Sequence, residues 1–198
     1  MLPYLLVLSL MLGAAPAAGQ LVHLPPPDPF GHDTPAQLAA HHVALDTSLG
    51  TIELSLLADK APETVRQFLT LTDAGVYDET LIHRVTPNFV MQTGAPAYRQ
   101  EPLTPAQQGL IHPLKPEFND TPMDLGVAAM AHGDDPGDGT TSFFICIGSC
   151  HAIDGKYTVF ARVSGGMDVL QRIAVVPVDG ETPRTPILVT RARVIPAK

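Results

Sequence analysis

The chain has no tryptophan and only two cysteines, Cys146 and Cys150, among its 198 residues. Two cysteines cannot build a disulfide framework. On an extended strand over 142–147 they would stand about 13 Å apart, whereas a bridge needs Cα atoms within about 7 Å. A local disulfide would require the chain to fold back, so both are read as small buried residues. Charge is also scarce, at 16% of residues against about 25% in typical domains. The 12 Lys+Arg are outnumbered by 20 Asp+Glu, giving −8. With no basic run, binding through phosphate neutralisation is excluded, and nucleic acid is not an expected partner.

Several signatures are missing as well. There is no G-x-G-x-x-G, no Walker loop and no H-E-x-x-H, and no G-x-S-x-G elbow, so no cofactor is expected. Gly133–Gly139 is rich in Asp but lacks the 1-3-5 spacing and bidentate Glu of a calcium loop; it reads as a turn. The eight histidines are scattered, and no metal site is expected.

What is present begins with proline, 20 residues against a usual share of about 5%, and 16 glycines. Long helices are disfavoured, because proline lacks the amide donor and clashes in a helix interior. The first nineteen residues carry no Asp, Glu, Lys or Arg. Tyr4–Leu12 is a nine-residue apolar core followed by Gly13-Ala14-Ala15-Pro16-Ala17-Ala18-Gly19. The core is shorter than the ~20 residues of a membrane span and fits a secretory signal peptide over 1–19. An uncleaved anchor is the alternative. Cleavage would leave an exported chain, periplasmic or extracellular, with no membrane span. Residues 20–40 hold Pro25, Pro26, Pro27, Pro29 and Pro35 and read as a semi-rigid spacer. The folded domain is expected over 41–198.

Within it, Val43–Asp46 and Thr51–Leu56 flank a turn at 47–50, a hairpin pattern. Pro62 suits the first turn of a helix, Val65, Phe68, Leu69 and Thr72 share one face, and Gly75 ends it. Further strands are expected at 81–86, 89–93, 126–131, 142–147, 157–163 and 187–194, with a short helix at 166–173. The stretch 95–124 carries six prolines and reads as a long irregular loop, a class that is usually functional. Many strands, two helices and no βαβ alternation predict a mainly β fold, a closed antiparallel barrel.

Leu81-Ile82-His83-Arg84-Val85-Thr86-Pro87-Asn88-Phe89-Val90-Met91-Gln92-Thr93-Gly94 resembles the F-H-R-x-x-x-x-F-x-x-Q-x-G segment of cyclophilins, the cyclophilin-type peptidyl-prolyl cis–trans isomerases. Met130–Ile145 is similar to the second family segment in its bacterial form, and Ile153–Val163 to the L-D-G-x-x-x-V-F-G-x-V hairpin. Leu49–Ile52 and Ala61–Phe68 resemble the first hairpin and helix. The resemblance spans about 42–195 and implies a bacterial exported type with a closed eight-stranded antiparallel β-barrel capped by two α-helices.

It also implies an activity, rotation about X-Pro peptide bonds, and a role in folding exported proteins. Arg84 and Gln92 would be catalytic. His83, Phe89, Val90, Ala131, His132, Phe144, Ile153 and Tyr157 would bind substrate. The partners would be proline-containing polypeptides, unfolded or extracytoplasmic, met by a monomer. Phe143, alternating with Phe144, is assigned to the core. Two departures stand out: Ser142 replaces the usual Gln before Phe-Phe, and Ala152 takes the place of the Trp that some members use to hold cyclosporin. Ser142 keeps a second reading open, a non-catalytic proline-peptide-binding chaperone on the same barrel.

Overall fold

The computed structural model describes residues 28–197. The expected signal peptide over 1–19 and the spacer up to residue 27 lie outside the described residues. Among those described, eleven strands and four short α-helices follow one another along the chain. The strands are β1 (His41–Thr47), β2 (Gly50–Leu56), β3 (Thr80–Leu81), β4 (Arg84–Thr86), β5 (Val90–Thr93), β6 (Val127–Met130), β7 (Phe143–Cys146), β8 (Val159–Gly165), β9 (Val178–Asp179), β10 (Thr182–Pro183) and β11 (Leu188–Pro196). The helices are α1 (Pro35–Leu38), α2 (Pro62–Asp73), α3 (Pro105–Gly109) and α4 (Met167–Ala174).

Nine strands form one curled antiparallel sheet in the order β3-β11-β1-β2-β8-β6-β7-β5-β4. The expected closed eight-stranded barrel is corrected to a nine-stranded open sheet. The physical reason is local: the anticipated strand 81–86 divides because its bonding partner changes midway. The Ile82 amide donates to Ile187 at 2.9 Å, whereas the His83 amide donates to Gln92 at 3.1 Å. β3 and β4 therefore lie at opposite edges of the sheet while remaining adjacent in sequence. The small β9–β10 ribbon is a further element that the sequence reading left out.

Alternation assigns the two faces of the sheet. Phe143, Ile145, Met91, Ala128 and Phe160 point into the main core. There Phe68 of α2 meets Phe160 at 4.8 Å and Phe143 at 5.3 Å between ring centres. A fully buried phenylalanine contributes about 1.5–3 kcal/mol, so this cluster anchors α2 to the sheet. Val90, Val127, Ala129, Phe144, Cys146 and Val159 face the other way, into a second and smaller cluster. The loop 113–124 lies over part of it through Met123, which is fully buried there.

The N-terminal boundary moves. Residues 28–40, anticipated as part of a spacer, are folded onto the domain: Leu38 is fully buried and Phe30 nearly so. Arg66 of α2 donates to the carbonyls of Phe30 and Asp33, and the Thr70 hydroxyl donates to Asp28 at 2.7 Å. Apolar side chains at 30 and 38 outweigh the extended bias of the surrounding prolines. The region 95–124 also holds α3 and a single 3-10 turn, Pro96–Tyr98, rather than being wholly irregular.

Cys146 and Cys150 are free and buried. β7 ends at Cys146, so the extended spacing assumed between them does not apply. The chain turns at Gly148, where a Cβ would run into the Asn88 carbonyl. The Cys150 thiol donates to the Phe89 carbonyl at 3.0 Å, and burial raises the pKa of both cysteines.

Candidate active site

β4 and β5 form a hairpin in which Arg84 stands opposite Gln92. The turn between them places Asn88 in the left-handed region, φ 59°, a conformation that asparagine tolerates better than most residues. Alternation sends Val85 and Met91 into the main core and leaves Arg84 and Gln92 on the opposite face. Two nearby residues in sequence thus become two neighbouring polar side chains, with Arg84 Nη1 3.5 Å from Gln92 Oε1.

Beside them is a pocket of about 100 Å³. Phe89 and Val90 line it from the hairpin, Phe144 from β7, and Ile153 and Tyr157 from the segment before β8. Phe144 and Tyr157 meet edge-on at 5.1 Å, and Tyr157 stacks on His132 at 4.5 Å. Ala131 and His132, just beyond β6, complete the rim. A second basin of about 330 Å³ shares Gln92, Ala131 and His132 with the first and extends towards Ser142 and Asp138. The two share one wall of Gln92, Ala131 and His132 and lie side by side as a groove. Phe89, Val90, Phe144 and Ile153 give the first pocket apolar walls, and Arg84, Gln92 and His132 add polar groups to the same lining.

Nine of the ten site residues anticipated from the sequence converge here. The tenth, His83, does not line the pocket. Its ring stacks on Tyr98 at 4.2 Å with an interplanar angle of 5°, and burial lowers its pKa. It is half-buried under the Pro96–Tyr98 turn, whose position no local pattern at residue 83 encodes.

Ser142 has a defined role. Its hydroxyl accepts from Gln92 Nε2 at 3.1 Å and donates to the Thr93 carbonyl at 3.1 Å. The Gln92 amide is thereby oriented with its oxygen towards Arg84. The residue the sequence reading missed is Glu181, in the β9–β10 turn. It accepts from Arg84 Nε at 2.8 Å and from Nη2 at 2.9 Å. That contact raises the guanidinium's pKa further and lowers that of Glu181 to about 2. The available signal was Asp179-Gly180, a dipeptide that favours tight hairpins. Among the described residues no group of three His, Cys, Asp or Glu side chains is placed to hold a metal. No described helix is long and apolar enough to cross a membrane.

Residues 42–194 match the family described as cyclophilin type peptidyl-prolyl cis-trans isomerase/CLD. The chain is 34% identical over 166 residues to peptidyl-prolyl cis-trans isomerase-like 1 of Neurospora crassa, covering 79% of this chain and 95% of that protein. The protein of the same name from Aspergillus oryzae is 35% identical over 163 residues, with 79% and 96% covered. In fold, the chain is similar to a cyclophilin type isomerase of Cryptosporidium parvum, TM-score 0.70 at 22% identity, covering 80% of this chain and 99% of that one. A structure of that isomerase in the presence of the dipeptide Ala-Pro gives a TM-score of 0.68. The two curated relatives are fungal, so the resemblance to a bacterial exported type is supported only as far as the family.

Proposed function

The chain belongs to the cyclophilin-type peptidyl-prolyl cis–trans isomerases, and we propose that Arg84 and the pocket beside it carry that activity. The observation behind this reading is the juxtaposition of a permanent cation, Arg84, with a small pocket walled by Phe89, Val90, Phe144 and Ile153. Isomerisation breaks no covalent bond. The barrier of about 18–20 kcal/mol is the loss of amide resonance on twisting. In the twisted state the prolyl nitrogen regains a lone pair and accepts a hydrogen bond. A donor fixed there stabilises the transition state more than either planar ground state, which is the requirement for catalysis. The Arg84 guanidinium remains charged at every relevant pH. Phe89, Val90, Phe144 and Ile153 hold the ring, and Gln92, oriented by Ser142, is available to the substrate backbone. A Cryptosporidium parvum isomerase of similar fold solved in the presence of the dipeptide Ala-Pro supports proline-containing polypeptides as the ligand class.

The test is a protease-coupled isomerisation assay of an X-Pro peptide. Arg84→Ala should lower kcat/KM by about 100-fold or more, since a charge-assisted contact made mainly in the transition state is worth about 3 kcal/mol. Folding should barely change. Equal rates for the two proteins would sink the mechanism. They would favour the second reading, a proline-peptide-binding chaperone, whose motivation weakens once Ser142 is seen to brace Gln92.

The uncharged, apolar first nineteen residues support export, with extracytoplasmic proteins as clients of a monomeric enzyme. Mass spectrometry of the native protein should find a mature N-terminus between Ala18 and Leu21. An intact N-terminus in the membrane fraction would instead mean an anchor.

A further inference from the structure

The contact between Arg84 and Glu181 lies outside the motif that carries Arg84, and prolyl isomerisation itself needs no carboxylate. Glu181 is nevertheless held firmly. Its carboxylate accepts from Thr86 Oγ1 at 2.6 Å as well as from the two guanidinium nitrogens. Its backbone carbonyl accepts from the Val85 amide at 2.7 Å. The carboxylate therefore grips the Nε–Nη2 edge of the guanidinium, and the nitrogen turned towards Gln92 is Nη1. We propose that Glu181 is a positioning residue of the isomerase site, fixing the plane of the Arg84 guanidinium so that its Nη1 edge is presented to the prolyl amide. This inference rests on the catalytic reading of Arg84 given above.

Two effects oppose each other. The negative charge weakens the field of the cation, while the bidentate grip removes the need to order a long, flexible side chain at the moment of reaction. The side chains of Arg84 and Glu181 are 36% and 48% exposed, so solvent screens the charge effect. Orientation does not depend on dielectric and is what a planar, forked donor supplies. Orientation wins, and loss of Glu181 should slow turnover.

Steady-state kinetics of the wild type, Glu181→Ala, Glu181→Gln and Thr86→Val test this. Glu181→Ala should lower kcat by about three- to tenfold with KM within about twofold, the split expected for an interaction that matters in the transition state. Glu181→Gln, which keeps an acceptor oxygen, should recover part of the loss. Thr86→Val should lower kcat less than Glu181→Ala. The Val85–Glu181 backbone bond survives all of these changes and the ion pair is solvent-screened, so melting temperatures should fall only slightly. In an Arg84→Ala background, Glu181→Ala should have no further effect. An unchanged or faster Glu181→Ala enzyme overturns the proposal, as does an equal loss in the Arg84→Ala background, which would mark a structural role. An inactive wild type would overturn the functional reading and this inference with it. An active wild type that is indifferent to Glu181 overturns the inference alone.

Discussion

Phe143 and Phe144 are adjacent in sequence and both buried, at 0% and 5% exposure, yet they belong to different parts of the molecule. Phe143 is packed among Phe68, Tyr77 and Phe160. Phe144 meets Tyr157 and forms a wall of the site pocket. The inner face of the sheet is filled by its own side chains. The outer face carries a smaller buried cluster, and beside it the pocket that Phe144 helps to wall. One step along a strand changes a residue's task from holding the fold to holding a substrate.

The largest expected break in that comparison is Phe143→Ala. It should cost about 3–5 kcal/mol by emptying a filled core, measured by chemical denaturation, while molecules still folded keep their KM. A loss under 1 kcal/mol would show that the inner face is as loosely filled as the outer one. Next is cyclosporin inhibition. Ala152, in the turn beside Ile153, offers neither an indole donor nor an aromatic face. One net hydrogen bond and an aromatic contact amount to about 2–3 kcal/mol, or roughly 30- to 150-fold weaker inhibition than in Trp-bearing relatives. Ala152→Trp should restore part of it without raising turnover, and tight inhibition of the unmodified protein would contradict the placement of Ala152. Phe144→Ala should shift the balance of the Phe143 pattern, raising KM about tenfold through lost apolar contact. Its stability loss should be smaller than that of Phe143→Ala, because its cluster is smaller and one side of it faces the pocket. Titration comes last. Glu181 has its pKa lowered from 4.5 to about 2, chiefly by Arg84 and then by Thr86. A lowered carboxylate pKa means the contact stabilises the folded state above pH 4.5 and is lost as pH falls towards about 2. NMR of the Glu181 carboxyl should show no inflection near its ordinary value in the wild type and should show one there in Arg84→Ala. A wild-type inflection at the ordinary value would mean that the contact does not persist in solution.

Much of the site was legible because its parts lie in short contiguous segments that resemble the family's motifs. Arg84 and Gln92 are eight residues apart across one short hairpin, and Phe89 and Val90 lie between them. The hairpin of β1 and β2 and the helix α2 were equally legible, since turn residues, Pro62 and the i, i+3, i+4 pattern act within a few residues of themselves. Residues 28–40 were harder to read. Their prolines suggested an extended spacer, while two apolar side chains, Phe30 and Leu38, decided where the segment sits.

By itself, the amino-acid sequence determined the alternation that separates Phe143 from Phe144, the ends of α2 and the motif segment that holds Arg84 and Gln92. Only the tertiary structure decided that Glu181, 97 residues from Arg84, grips its guanidinium. It also decided that His83 stacks on Tyr98 instead of lining the pocket, and that the strand after Thr80 divides between two sheet edges. Steric and hydrogen-bonding preferences act over a few bonds and leave a local pattern in the sequence. Contacts between distant segments depend on how far the sheet curls and where each loop lands, which no short window of residues encodes.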